Sequence, residues 1–400
     1  MSISEKKLED FVMLQMIICL FAFRDYTKIT IVSQLFTFTF MFLIQIKNKI
    51  FTYDKNFFMT SKIVFILWGI MTGFWASQKN GVFSICTTMI IRLMTSLSII
   101  FYVSNKEKMY KFIKILVIAG IVLCLRIIVV VPFSAFGKFR IGNLLSHGAN
   151  NSYGNTGITF ILGILSVILI IDKSVIKNSK FKYFLVILFS LFSILSGSKK
   201  HIFLIVIAMI LNFAFKSENF KDSIKKIIKF TIIIIFAYLA IKNIPMLYNM
   251  IGKRMINFIN FFSEAGETDA STIGRMQLIN EAIIVFFKNP LLGIGIGNFM
   301  FVSSLGAWAE NNYLELLVDT GFIGLIIYYF YQTKILFSSL KRRKENDIYS
   351  NVFILLICFI IIDLTMVSYF NSTLQLYQAF IFAMYFVAKK EGEKHEKRKI

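Results

Sequence analysis

Apolar runs long enough to cross a membrane recur along almost the whole 400-residue chain. Hydrophobic residues make up 57% of the sequence and charged residues only 16%. A helix needs about 20 apolar residues to span a bilayer, and lipid leaves no partner for backbone groups outside helices or closed barrels. The sequence therefore predicts an all-α integral membrane protein with about twelve transmembrane helices. These lie at roughly 10–23, 29–46, 61–77, 81–103, 112–133, 155–172, 181–197, 201–215, 227–248, 312–333, 348–369 and 373–388.

The net charge of +22 is better explained by membrane topology than by nucleic-acid binding. Alternate loops are rich in lysine, as before the fifth span and in the run 341–344, whereas the loops between them carry few basic residues. Basic loops mark the cytoplasmic side, which places both termini in the cytoplasm. Lys62 is counted here among the cytoplasmic loop lysines. The four cysteines all fall inside apolar runs, so we expect packing roles for them and no disulfide, metal or cofactor.

One long loop interrupts the series of short connections. The predicted domains are helices 1–9 at 1–248, a large extracytoplasmic loop at 249–311, helices 10–12 at 312–388, and a basic cytoplasmic tail at 389–400. Long loops of this kind commonly carry function.

A short amphipathic helix is predicted within this loop. Met276, Ile279, Ile283 and Phe286 recur at helical spacing. Such a helix either lies along the outer membrane surface with its apolar face down, or packs on the helix bundle as an ordinary loop helix. The glycines of the run Gly293–Gly297 predict a tight turn close to a ligand or to neighbouring backbone.

A polar stripe opens the tenth span. Asn312, Glu315 and Asp319 are three and four residues apart and therefore share one helical face. Ionisable groups at membrane depth usually line a water-filled cavity, so the stripe predicts a polar cavity open to the outside, with Glu310 and Asn311 at its mouth. The alternative is that Glu310 or Asn311 caps the helix.

Two arginines lie inside predicted spans. Arg92 and Arg126 are functional candidates because buried charges in a membrane are costly. Each either contacts an anionic substrate or forms a structural ion pair, for which Asp363 of the eleventh span is the candidate partner.

Several of these segments resemble the signature of the O-antigen ligase and polymerase superfamily. The similar elements are, in order, Gly274-Arg275, a short helix, NPLLGIGIGNF at 289–299, and ENNYLELLVDTGFIG at 310–324. The turn at Ser196–Lys199 resembles a further S-G-S-R element, and HGANNSYGN at 147–155 resembles an asparagine-rich span entry. Members of the family also resemble this chain in having about a dozen helices and one large outer loop before a late span.

The resemblance implies a bacterial inner-membrane protein that catalyses glycosyl transfer from an undecaprenyl-diphosphate-linked oligosaccharide in the outer leaflet. A hydroxyl of a second lipid-linked unit attacks the anomeric carbon, and undecaprenyl diphosphate leaves. Such chemistry needs cations for the diphosphate and a base for the hydroxyl proton. We therefore predict Arg275 and Glu310 as catalytic, with Glu310 acting as the base or orienting the acceptor. The predicted substrate-binding residues are Lys199, Lys200, Arg254, Asn311, Asn312, Glu315, Asp319, Arg126 and Arg92.

Two departures from the family pattern bear on function. The ligase branch shows His-Asn where this chain has Glu310-Asn311, which favours a polymerase of capsule or O-antigen-type repeat units. Lys199 replaces an arginine and keeps its charge without the bidentate fork. A ligase that transfers finished glycan, and a flippase of the lipid-linked oligosaccharide, stay open as alternatives. A flippase and a chain-length regulator are the protein partners expected of a polymerase.

Overall fold

A computed structural model describes residues 3–48, 53–132, 141–145, 157–172, 174–196, 200–216 and 270–397, together with the single residues 228, 243 and 248. In these parts of the chain the regular elements are helices. They are α1 (Ile3–Ala22), α2 (Thr27–Asn48), α3 (Tyr53–Met71), α4 (Lys79–Tyr102), α5 (Lys106–Val130), α6 (Ile141–Leu145), α7 (Gly157–Ile171), α8 (Ser179–Leu195), α9 (Lys200–Lys216), α10 (Ala270–Lys288), α11 (Phe299–Val302), α12 (Asn312–Lys341), α13 (Asp347–Asp363) and α14 (Ser372–Lys397).

The predicted apolar runs overlap these helices, except the run at 227–248, of which the structure describes only residues 228, 243 and 248. Among the described helices, the segments long and apolar enough to cross a membrane are Thr27–Asn48, Phe57–Phe74, Lys79–Tyr102, Lys106–Val130 and Asn312–Lys341. Gly157–Ile171 and Phe203–Phe215 are shorter apolar helices. The described part of the chain is thus all-helical, and the protein is a multi-pass membrane protein; the total of twelve spans stays a prediction.

The burial pattern of α2 is the reverse of that in a soluble helix. Val32 and Phe36 are more than half exposed, whereas Gln34 and Thr37 are almost completely buried. A surface with this much exposed apolar area is unfavourable in water but matches a hydrocarbon environment. The polar side chains instead find their partners inside the protein, as the cost of burying them in lipid requires.

The helices divide into two compact units. One comprises Met1–Ser33, Lys106–Thr268 and Arg343–Cys358, and the other Gln34–Asn105, Asp269–Arg342 and Phe359–Ile400. In the first unit α1 packs on α5, and α7 packs on α8 and α9. Lys108 of α5 ties the first pair together by donating to Glu9 at 2.9 Å and to Asp10 at 2.6 Å.

The second unit contains the region that resembles the family signature. In it α3 packs on α4 and α12, α4 packs on α14, and α10 packs on α12. The connection from α10 to α12, residues 289–311, therefore lies in the same unit as both helices that it joins.

Candidate active site

Helix α12 reverses direction partway along its length. In a straight helix, residues 312 and 329 would be about 25 Å apart along the axis. Instead, the Asn312 amide donates a hydrogen bond to the Tyr329 hydroxyl at 2.8 Å, and the ring of Tyr313 stacks on that of Tyr329 with 4.9 Å between centroids. The break is at Gly321, where φ is 69° and ψ is −175°. The segment predicted as the start of a straight span is thus a separate half-helix, 312–320, folded back beside the longer half.

Backbone groups of the 289–311 connection fill the break. The amides of Ile294 and Gly295 each donate to carbonyls at the end of the first half-helix, those of Val318 and Asp319, at 2.9 Å. The amide of Phe322, which begins the second half, donates to the carbonyl of Pro290 at 2.9 Å. Helix ends leave such groups without intrahelical partners, and lipid supplies none.

The glycines of the connection permit this close approach. Gly293 has a φ of 68°, and a Cβ there would come within 2.6 Å of the Asp319 carbonyl. Of the two sequence interpretations of the glycine run, contact with neighbouring backbone is therefore the one that the structure shows.

The polar stripe of the first half-helix is packed against protein. Asn312, Glu315 and Asp319 do share one face, but all three are 0% exposed. The expectation that this face lines a cavity open to the outside is wrong, because the connecting loop and the turn after α13 cover it. Their direct contact with a substrate stays a prediction, and it would require this face to open.

Asp319 organises the connecting loop. Its carboxylate accepts hydrogen bonds from the amides of Gly297 at 2.7 Å and Phe299 at 3.0 Å, and from the Tyr369 hydroxyl at 3.2 Å. Glu315, one turn earlier, accepts from the amide of Ala309 at 2.6 Å. Both carboxylates therefore hold the backbone that leads to Glu310.

Replacing Asp319 with alanine is expected to destabilise the protein by about 2–3 kcal/mol, because it leaves buried donors without an acceptor. Asp319→Asn keeps one acceptor oxygen and should lose less. The measurement is the thermal unfolding midpoint of detergent-purified protein. Equal midpoints for Asp319→Ala and the wild type would contradict this role.

Asn312 holds the two half-helices and a third segment together. Besides donating to Tyr329, its side-chain oxygen accepts from the amides of Ser368 at 2.7 Å and Tyr369 at 3.1 Å. The Tyr329 hydroxyl in turn donates to Asp363 at 2.6 Å. These hydrogen bonds fix the beginning of α12, which directly follows the accessible residues of the site.

Those accessible residues are Glu310 and Arg275. The Arg275 guanidinium donates to the Glu310 carboxylate at 2.5 Å, and the two side chains are 44% and 47% exposed. Glu310 has a φ of 50°, in the left-handed region that non-glycine residues rarely adopt. Such strain persists only where surrounding contacts impose it, and it is common at functional sites. Two predicted catalytic residues, 35 positions apart in the sequence, are thus in direct contact.

Asn311 is the helix cap. Its side chain accepts from the amides of Tyr313 at 2.9 Å and Leu314 at 3.1 Å. Of the two capping candidates, it is therefore Asn311 that caps, which leaves Glu310 available for Arg275.

Helix α10, which carries Arg275, packs on α12, and the face that it buries only partly overlaps the predicted apolar face. Its buried residues Leu278 and Ala282 share a hydrophobic cluster with Val318 of α12, and Phe286 packs against this cluster, whereas Met276 and Ile283 are exposed. The helix is also longer than predicted, because it begins at Ala270. Its contact with α12 matches the interpretation as a loop helix packed on the bundle.

A second polar contact joins α10 to the connection. Glu281 accepts from the amide of Ser304 at 2.9 Å and from the Ser304 hydroxyl, and Gln277 donates to that hydroxyl at 2.7 Å. The hydrogen bonds from Ser304 hold the pKa of Glu281 below its ordinary value. Glu281 is consequently a carboxylate near neutral pH.

The two intramembrane arginines have protein partners. Arg126 forms an ion pair with Asp25, donating from both terminal nitrogens at 2.7 and 2.8 Å. Arg126 therefore forms a structural ion pair, as one of the two alternatives predicted. The predicted partner, Asp363, was wrong, because the partner is Asp25. Arg92 donates to Gln34 at 2.9 Å and to the carbonyl of Phe370 at 3.4 Å.

The remaining predicted cations are placed less fully. Lys199 and Arg254 lie outside the described residues, and Lys200 begins α9. Their contact with a substrate stays a prediction, as does that of Arg92 and Arg126.

Lys62 was misassigned by sequence reasoning. It lies inside α3 rather than in a loop, and its amine donates to the side chains of Gln375 at 2.9 Å and Gln378 at 2.6 Å. The amine also lies 5.1 Å from the ring centre of Tyr328. The available signal was the position of Lys62 within the sequence SKIVFILWGI, where an apolar run continues directly from it.

The fold and site together define a multi-pass membrane protein whose accessible arginine and carboxylate are held beside a broken helix. Residues 184–329 match the model of a protein family described as O-antigen ligase. This range includes most of α8, the whole of α10 and the break in α12, and it confirms the resemblance to the O-antigen ligase and polymerase superfamily. The match supports glycosyl transfer on lipid-linked glycans. The comparison with curated proteins returned no match.

Proposed function

We propose that the protein polymerises undecaprenyl-diphosphate-linked oligosaccharide repeat units for a capsule or O-antigen-type polysaccharide. The observation that carries this proposal is the contact between Arg275 and Glu310 at an accessible edge of the second unit. The contact brings a cation and a carboxylate together within the segment that matches the family. Glycosyl transfer from a lipid diphosphate needs both.

The proposed reaction is a displacement at the anomeric carbon. A hydroxyl oxygen of one lipid-linked repeat unit forms a bond to the anomeric carbon of the growing glycan. The bond from that carbon to the phosphate oxygen breaks, and its electron pair leaves with undecaprenyl diphosphate. Glu310 takes the hydroxyl proton or orients the hydroxyl, and Arg275 offsets the charge that develops on the diphosphate.

The sequence alone suggests further cations that bind the diphosphate in this proposal. Lys199, Lys200 and Arg254 are proposed as further phosphate contacts. The distribution of lysine between alternate loops supports a site on the outer face of the bacterial inner membrane, with both termini in the cytoplasm. A flippase that delivers the repeat unit and a chain-length regulator are the proposed partners.

The identity of residue 310 favours a polymerase over a ligase. The ligase branch shows histidine where this chain has Glu310, whose carboxylate meets Arg275. A polymerase also needs only one kind of substrate, because donor and acceptor are both lipid-linked repeat units.

Purified protein in liposomes with a single synthetic lipid-linked repeat unit tests the proposal. We expect a ladder of lipid-linked products and one free undecaprenyl diphosphate for each new bond. Arg275→Ala protein is the matched negative control. Products that form only after a second, lipid-free acceptor is added would indicate a ligase. Movement of substrate across the bilayer without new glycosidic bonds would indicate a flippase, and either result would overturn polymerisation.

A further inference from the structure

The Arg275–Glu310 ion pair cannot maintain its own geometry. Both side chains are nearly half exposed, and exposed ion pairs contribute only about 0–1 kcal/mol. Bound diphosphate also competes with Glu310 for the guanidinium. Catalysis nevertheless requires the two groups to stay at a fixed separation, since small displacements of reacting groups are costly. Other contacts must therefore set the distance between α10 and the segment before α12, and the buried cluster of Leu278 and Ala282 with Ala309 is one of them.

Glu281, Gln277 and Ser304 form a second such contact, at the exposed side of the same two segments, which we name the clasp. The carboxylate of Glu281 accepts from both the amide and the hydroxyl of Ser304, and Gln277 bonds both the hydroxyl of Ser304, at 2.7 Å, and Glu281, at 3.2 Å. Hydrogen bonds to a charged carboxylate are stronger than neutral ones. Glu281 lies on the same helix as Arg275, less than two turns further along.

The segment after Ser304 couples the position of the clasp to the position of Glu310. The Ser303 hydroxyl donates to the carbonyl of Ala307 at 2.9 Å and accepts from the amide of Ala307 at 3.1 Å, which closes a tight turn. Glu315 then holds the amide of Ala309 at 2.6 Å. These hydrogen bonds restrain the backbone between Ser304 and Glu310.

We propose that Glu281 and Ser304 are positioning residues of the active site, which set the separation of Arg275 and Glu310 through the clasp. The inference rests on the proposed function for its catalytic consequence. It requires no contact between the clasp and substrate. The clasp therefore affects kcat, whereas the cations determine the affinity for the lipid diphosphate.

The test is steady-state kinetics of Glu281→Ala, Ser304→Ala and the double variant with a lipid-linked repeat unit. We expect kcat to fall about tenfold in each single variant, while KM stays within about twofold. The double variant should be no slower than Glu281→Ala, because both changes break one contact. Ser304→Thr keeps both donors and should restore wild-type kcat. Asn280→Ala, at the exposed neighbour of Glu281 on α10, is the matched control.

Hydrogen exchange of peptides covering 303–311 gives a readout independent of activity. Glu281→Ala should accelerate exchange of this segment by about tenfold, whereas Asn280→Ala should not. Unchanged exchange and unchanged kcat in Glu281→Ala would overturn the clasp. A change in KM at constant kcat would instead indicate substrate binding and would also overturn it. If wild-type protein forms no glycosidic bonds, the proposed function fails, while the exchange measurement still decides whether the clasp exists.

Discussion

Replacing Arg275 with alanine is expected to reduce polymer formation by about 100- to 1000-fold. The guanidinium is the cation that the structure places against Glu310, and developing charge on the leaving diphosphate would lose its main counter-charge. In cells, gel analysis of surface glycan should show single-repeat products in place of a ladder. In liposomes, release of undecaprenyl diphosphate should fall by the same factor.

Two further variants separate charge from geometry at this position. Arg275→Lys keeps the charge but loses the bidentate fork, so its rate should be intermediate. Glu310→Gln keeps the size of the side chain and removes the proton acceptor, and its rate should fall without loss of donor binding. Protein levels in the membrane must equal those of the wild type. An unchanged ladder in Arg275→Ala cells would remove Arg275 from the mechanism.

The positions of the helices were predictable from sequence because hydrophobicity in a membrane acts locally. Each long apolar run must satisfy its own backbone hydrogen bonds, so its length and position define a helix without knowledge of its neighbours. The meeting of Arg275 and Glu310 was predictable only in outline. The resemblance assigned both to one site, but no residue pattern gave their contact.

The reversal at Gly321 was hidden because hydropathy does not register direction. The run 312–333 is apolar whether the helix is straight or folded back. A glycine in such a run is equally consistent with close approach of a neighbouring helix. The decisive partners, the carbonyls of Pro290 and Leu291, lie about 30 residues earlier and are backbone groups, which leave no side-chain signature.

Burial within the membrane was the other unpredictable feature. Apolar side chains can face either lipid or the protein interior, so periodicity did not identify the packed face of α10. Met276 and Ile283 face outward while Leu278 and Ala282 are buried. The carboxylates of Glu315 and Asp319 were expected in an open cavity because ionisable groups at membrane depth usually line one. Their actual partners are loop amides whose position depends on the chain reversal.

Substituting alanine for Gly321 is expected to destabilise the protein by more than about 4 kcal/mol. Gly321 has a φ of 69°, and a Cβ there would lie within 2.6 Å of the amide nitrogen of Leu292 and closer still to the carbonyl of Leu291. These are backbone atoms of the segment that fills the break, so they cannot move aside as a flexible side chain would. Relief of the clash would separate the loop from α12 and leave the buried amides and carbonyls at the break unpaired.

Gly306→Ala is the matched control for this substitution. Gly306 also has a positive φ, 58°, but a Cβ there would meet nothing within 4 Å. It should therefore incur only the conformational cost of a left-handed residue, about 1–2 kcal/mol. Thermal unfolding of detergent-purified protein, together with the yield of monodisperse protein, measures both. If the two variants unfold at the same temperature, close packing of the loop against the break does not hold the reversal in place, and left-handed backbone alone explains the glycine at position 321.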